Sequence, residues 1–227
     1  MYTLFIANKN YSSWSLRPWL LMRALQIPFD EVLLTFGDAP AWAALRARSG
    51  AGKVPCLVDG EVVVWDSLAI VEYLAERHAG VWPSDPIARA WARCAAAEMH
   101  SSFTALRSTC SMNVGVRVRL HARPPALERD LERLTALWGE GLARFGGPYL
   151  AGASFSAVDA FFAPVAFRMQ TYHLDLGPVA NAYAERLRAH PDMIAWAQAG
   201  LAETTRDRSH DDEIRAAGEL VEDLRAR

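Results

Sequence analysis

The chain has 227 residues, 52% of them hydrophobic and 22% charged, enough to bury a sizeable core in one large domain or two small ones. A formal net charge of −2 argues against nucleic acid or an anionic membrane surface as a partner. The three cysteines, Cys56, Cys94 and Cys110, lack Cys-x-x-Cys spacing, so thiols in a reducing compartment are expected, by default the cytoplasm.

The first apolar run, Leu4-Phe5-Ile6-Ala7, has no basic lead or cleavage signature and reads as a strand over Tyr2–Ala7 rather than a signal peptide. No apolar stretch reaches spanning length, and no membrane role is expected. Leu16, Trp19, Leu20, Arg23, Ala24 and Ile27 then recur at helical spacing. Pro18 has no N–H and suits the first three positions of a helix, which puts the cap near Ser15 and leaves Ser12 and Ser13 in the loop ahead. A second strand is predicted over Phe29–Leu34, a short helix over 39–47, two strands around an Asp59-Gly60 hairpin turn within 56–64, and a helix from 67 to about 78. Turn residues concentrate between Gly80 and Pro86, and the sequence beyond is rich in Ala, Leu and Arg with helical periodicity. The chain therefore divides into an α/β domain, 1–80, and an all-helical domain, 86–227, with helices near 86–112, 125–145, 157–172, 179–189 and 192–203. Ser156 and Asp159 have the spacing of a capping box, with Phe155 as its hydrophobic staple. Segment 116–123 alternates apolar and basic residues, and its place between helices reads as a solvated connector.

Two stretches of the α/β half carry chemistry. In Gly52-Lys53-Val54-Pro55, a cis proline turns the chain and leaves the Val54 N–H and C=O free at a strand end, open to an extended ligand. Lys53 offers an ammonium to a ligand carboxylate. Asp66 and Ser67 stand at a helix start, where orphan N–H groups take a carboxylate and Asp66 takes an ammonium; together they form a receptor for an α-amino-acid head. The second stretch, Tyr11-Ser12-Ser13-Trp14-Ser15-Leu16-Arg17-Pro18, fills the turn between first strand and first helix. A serine hydroxyl there donates to a bound thiolate and the helix N-terminus adds partial positive charge, both favouring the ionised thiol.

These motifs resemble the glutathione site of the cytosolic glutathione S-transferase superfamily, and the Ser-Ser pair followed by Arg17 resembles its serine-type, zeta-like members. The resemblance extends along almost the whole chain. It implies an α/β plus all-α fold: a thioredoxin-like βαβαββα domain followed by a C-terminal helical bundle. Glutathione is implied as co-substrate or cofactor, without a metal, in a cytoplasmic homodimer. Lys53, Val54, Pro55, Asp66 and Ser67 are implied to hold the glutathione. Counting back from Arg17, as other serine-type classes suggest, selects Ser13 as the thiol-activating group; matching the zeta pattern from its first serine selects Ser12. Ser13 is preferred, Ser15 lies at the cap, and Tyr11 is the rival from tyrosine-type classes. The six histidines show no metal-site spacing.

The co-substrate is expected where two helical faces meet above the thiolate. His100, Phe103 and Arg107 recur at i, i+3, i+7, and Arg168, Thr171 and Tyr172 at i, i+3, i+4, with Met112 and Asn113 at the mouth. Two guanidinium groups favour a planar anion, hence an acidic, dicarboxylate electrophile. Zeta-like isomerases place a substrate-binding arginine seven residues beyond the proline matching Pro164; this chain has Thr171 there, and Arg168 lies one turn earlier. The expected function is addition of the glutathione thiolate to a small electrophile. The alternative is a glutathione-dependent cis–trans isomerase of the maleylacetoacetate or maleylpyruvate kind. A third reading is a non-catalytic interaction module, which would have no use for the hydroxyl and head-group receptor that this chain keeps.

Overall fold

A computed structural model describes residues 1–226. The α/β part runs β1 (Tyr2–Ala7), α1 (Ser13–Ala24), β2 (Phe29–Leu34), α2 (Ala39–Ser49), β3 (Cys56–Asp59), β4 (Val62–Trp65) and α3 (Ser67–Ala75), the predicted βαβαββα order. Its sheet has the order β2-β1-β3-β4, with β1 parallel to β2 and antiparallel to β3. Leu4 and Ile6 on β1 are fully buried beneath Leu16 and Leu20 of α1, as the two periodicities require. Gly60 takes φ +59° in the β3–β4 hairpin, a conformation that glycine adopts without steric cost.

The helical part follows with α4 (Pro86–Ser101), α5 (Thr104–Thr109), β5 (Val116–Leu120), α6 (Pro125–Phe145), α7 (Ala157–Tyr172), α8 (Pro178–Arg188), α9 (Pro191–Ala202), α10 (Arg208–Ala217) and β6 (Gly218–Asp223). At its centre is α7, buried along nearly its whole length and packed against α1, α4, α8 and β5. The capping box at its start is present: the Ser156 N–H donates to Asp159 Oδ2 at 3.0 Å. Phe155 packs edge-on against Tyr149 and against the His190 ring.

The structure corrects four of the predicted elements. Helix α1 begins at Ser13 with Ser12 as its cap residue, not near Ser15. The Asn8 carbonyl accepts the N–H groups of both Tyr11 and Ser12, at 3.1 and 2.9 Å, and this tight turn starts the helix early, leaving Pro18 inside it. The helix predicted over 86–112 breaks at Ser102–Phe103, where Phe103 has φ +55°. Side chains hold the break: Asp130 of α6 accepts the Leu106 N–H at 2.9 Å, and Arg107 of α5 reaches back to donate to the His100 carbonyl at 3.0 Å. Segment 116–123 is not a connector, because β5 pairs antiparallel with β6. Val116 and Val118 face the core while Arg119 pairs outward with Glu219 at 2.9 Å. Finally, α3 ends at Ala75 rather than near 78.

Candidate active site

The start of α1, the loop before β3, α5, the end of α7 and helix α10 enclose a cavity of ≈ 600 Å³ between the two parts of the chain. Its floor is Ser13, whose Oγ accepts a hydrogen bond from Arg168 Nη2 at 3.3 Å. Because that contact uses an oxygen lone pair, the Ser13 hydroxyl proton is left to point at a ligand. Ser12 also borders the cavity, but its Oγ donates to Ser15 Oγ at 2.7 Å, and Ser15 Oγ accepts the Ala7 N–H at 3.2 Å. Fully buried Ser15 thus ties the helix start to β1 and does not line the cavity. Replacing Ser12 with alanine is expected to cost about 1 kcal/mol of stability, the value of one such hydrogen bond, with little loss of turnover. Chemical unfolding run beside a conjugation assay checks this, and a turnover loss exceeding that of Ser13→Ala would reverse the assignment.

Arg168 is fully buried on α7. Its Nε donates to the Cys110 carbonyl at 2.7 Å and its Nη1 has no hydrogen-bond partner among the described residues. Burial lowers its pKa to about 10, so at neutral pH it remains a cation. No carboxylate lies within ion-pairing distance of it among the described residues. A buried cation without an anion is costly unless a ligand anion completes it. Burial pushes the neighbouring Cys110 thiol up to about 12 and keeps it protonated, so it is no rival nucleophile.

Tyr11 borders the same cavity with its hydroxyl fully engaged. It donates to Asp211 Oδ1 at 3.1 Å and accepts from Arg225 Nη1 at 3.2 Å and the Asp207 N–H at 3.4 Å. Burial, the largest influence, raises its pKa. The phenol therefore anchors the C-terminal segment.

A second group of polar residues lies behind Trp14, which lines the cavity on its other face. The Arg17 guanidinium sits 4.0 Å from the Trp14 ring centroid and 4.9 Å from that of Phe161, and Arg107 lies 5.2 Å from Trp14. Arg17 is fully buried, its Nε has no partner among the described residues, and its Nη1 approaches Ser67 Oγ at 3.5 Å. Burial, with Arg168 and Arg107 nearby, lowers its pKa well below the ordinary value. Asp66 caps α3 by accepting the Leu68 N–H at 2.8 Å, and its other oxygen lies 3.4 Å from His100 Nε2. Its φ of +76° is a conformation non-glycine residues rarely adopt outside functional or strained sites.

Eight of the residues singled out from the sequence line the cavity: Tyr11, Ser12, Ser13, Lys53, Val54, Arg107, Met112 and Arg168. The Val54–Pro55 bond is cis, and Pro55 is buried behind Val54. Asp66, Ser67 and His100 form the adjoining group. The remaining substrate candidates do not line the cavity. Phe103 is buried at the α4–α5 break, and Asn113 is fully buried, with its Oδ1 accepting the Gly115 N–H at 3.0 Å. Tyr172 donates to the Ser111 carbonyl at 2.9 Å and Thr171 to the Asn113 carbonyl at 2.6 Å. Their helical spacing is real, but the α4–α5 break turns one face away and the segment 110–115 occupies the other.

Trp14, Arg17 and the C-terminal pair His210 and Glu213 escaped the reading of the sequence. Arg17 was visible only as a register mark. The α10 residues had a signal, because Asp207 three positions before His210 is a helix-cap spacing.

Residues 11–77 match the family model described as Glutathione S-transferase, N-terminal domain, and residues 119–199 match Glutathione S-transferase, C-terminal domain. The chain is 31% identical over 194 residues to a probable maleylacetoacetate isomerase of Caenorhabditis elegans, covering 81% of this chain and 86% of that protein. It is 31% identical over 166 residues to a maleylacetoacetate isomerase of Rhizobium meliloti, covering 64% and 76%. Among solved structures, a glutathione transferase homologue from Burkholderia gl BGR1 with bound glutathione superposes with a TM-score of 0.66 at 21% identity, covering 88% of this chain and 97% of that one. With both domain signatures in order, the fold they predict and full-length relatives of this kind, the chain belongs to the glutathione S-transferase family and is a glutathione transferase-like enzyme.

Proposed function

We propose that this protein binds glutathione across its α/β domain and adds the thiolate to a small electrophile held against α5 and α7. The observation that carries this reading is the Ser13 hydroxyl held by the uncompensated Arg168 guanidinium at the start of α1. A hydroxyl donor, a buried cation and a helix N-terminus converge where a thiolate gains most from them. Val54 pairs with the peptide backbone of the ligand, and exposed Lys53 takes its glycine carboxylate. Asp66 takes the γ-glutamyl ammonium while Ser67 and the half-satisfied Arg17 take the carboxylate beside it. Arg107 and Arg168, both on the cavity wall, suit an acidic electrophile. The protein acts as a cytoplasmic homodimer.

A second reading has its own support, since two of the relatives carry the name maleylacetoacetate isomerase. In that reaction the thiolate adds to a double bond and leaves again after rotation. Net loss of glutathione thiol separates the two: conjugation consumes it and isomerisation does not. The binding test is Ser67→Ala, which removes a hydroxyl from a receptor where hydrogen bonds to charged groups contribute about 1.5–3 kcal/mol. Calorimetry should show glutathione affinity weakened by about ten- to a hundredfold. Unchanged affinity would place the head group elsewhere.

A further inference from the structure

The segment that closes the cavity lies beyond residue 199, where the match to the C-terminal family model ends. It brings an imidazole to the cavity. His210, on the first turn of α10, has its Nδ1 2.6 Å from Asp207 Oδ2, while its Nε2 has no hydrogen-bond partner among the described residues. The carboxylate holds Nδ1 as the donor, so the Nε2 lone pair is the one presented to the cavity.

Three features fix this orientation. The ring packs against two aromatic neighbours, with Tyr11 at 5.0 Å and Phe36 at 4.9 Å between centroids, and these two rings lie 6.3 Å from each other. Asp207 is itself fixed as the cap of α10 by accepting the His210 N–H at 3.0 Å. Burial raises its carboxyl pKa, but the bonds from His210 outweigh burial and hold it below its ordinary value, so it is a carboxylate. The segment is tied down from behind by Arg225, which pairs with Asp211 at 2.7 Å and reaches the Tyr11 hydroxyl. The arginines and the lysine on the cavity wall are cations without a lone pair, and the Tyr11 hydroxyl is already spent. The Glu213 carboxylate also borders the cavity, but His210 is the group there with one ring nitrogen held by a carboxylate and the other left free to take and return a proton.

We propose that Asp207 and His210 form a proton-return pair for thiolate addition to α,β-unsaturated carbonyl compounds, with His210 as a catalytic acid and Asp207 positioning it. The proposal rests on the glutathione-transferase reading above. As glutathione ionises, its thiol proton passes to His210 Nε2. The sulfur forms a bond to the β-carbon, the double-bond pair moves through the α-carbon to the carbonyl oxygen as an enolate, and His210 returns the proton to the α-carbon. Atoms and charge balance with no further reactant, and nothing is oxidised or reduced.

The test uses the full chain with an enone that carries an α-substituent, so that protonation creates a stereocentre. Wild type is expected to give one configuration at that carbon. His210→Gln is expected to lower kcat on the enone by about a hundredfold, to yield both configurations, and to lose less on an aryl halide, because water can take the thiol proton in both reactions but only the enone needs a proton delivered to carbon. Asp207→Asn keeps an oxygen for the α10 cap and is expected to lower the enone kcat by about tenfold while preserving the configuration, because the acid remains but is less well poised. Retention of a single configuration by His210→Gln, with enone kcat within about twofold of wild type, overturns the pair while leaving the transferase reading standing. A wild-type protein that neither binds glutathione by calorimetry nor transfers it to either electrophile overturns both.

Discussion

Replacing Arg168 with methionine is expected to raise the pKa of enzyme-bound glutathione thiol by about 1–3 units, the range over which a cation within a few ångströms stabilises an anion. At neutral pH the thiolate fraction, and with it kcat, should then fall by roughly ten- to a hundredfold or more. The physical reason is that Arg168 is buried, still charged at neutral pH and lacks a carboxylate partner, so its field falls on whatever anion enters beside Ser13. Methionine removes that charge while keeping a long apolar side chain. It also removes a buried uncompensated charge, so the protein is not expected to lose much stability, although the Cys110 carbonyl loses its donor. Ser13→Ala is expected to give a smaller shift of the same sign, because it removes one neutral donor and not a charge. Absorbance of the bound thiolate against pH reads both variants directly. An unshifted thiol in Arg168→Met would show that this cation serves the fold or the electrophile and not the sulfur.

Asp159→Ala is expected to cost about 3–5 kcal/mol, the largest stability loss of any single change proposed. Asp159 is fully buried and accepts from the Leu150 N–H at 3.0 Å, the Ser156 N–H at 3.0 Å, the Ser156 hydroxyl at 3.3 Å and the Tyr183 hydroxyl at 2.8 Å. Alanine leaves these donors, from the loop and cap before α7 and from α8, buried and unpaired around the start of the central helix. Urea unfolding of wild type and variant measures the loss, and a change below about 1 kcal/mol would mean that water or a shifted backbone satisfies them. The carboxyl also carries a pH signature. Burial raises its folded-state pKa to about 6 from the ordinary 3.8, against the opposing pull of its hydrogen bonds. Between those values the folded state binds more protons than the unfolded state, so this group's contribution to stability falls as pH rises from about 4 to about 6 and is flat above. Asp159→Asn should flatten that part of the stability–pH curve.

Local chemistry made much of this protein legible before any coordinates. Helices α6 and α7 lie where their apolar period and caps place them, and the βαβαββα order follows from alternation and turn residues. The resemblance carried by Val54-Pro55, Asp66-Ser67 and the serine-rich turn pointed to the family the chain belongs to. These signals are short in sequence range, a few residues to one turn, so one stretch of chain contains them whole.

What failed had long-range causes. The break between α4 and α5 is stabilised by Asp130, and β5 becomes a strand only because β6, about a hundred residues later, supplies its ladder. Neither partner is implied by the local pattern, since alternation without a neighbour reads equally well as a solvated loop. Among the three serines the sequence offered no decision of its own, because Ser12, Ser13 and Ser15 are chemically alike. The tertiary structure distinguishes them by what each hydroxyl meets: Ser12 and Ser15 meet each other, while Ser13 meets a guanidinium delivered from α7. Composition, period and motif determined the fold class and the family; the docking of α7 and the C-terminal segment onto the α/β domain decided which side chains share the cavity, because a site's charge and solvent exclusion exist only once distant elements have closed around it.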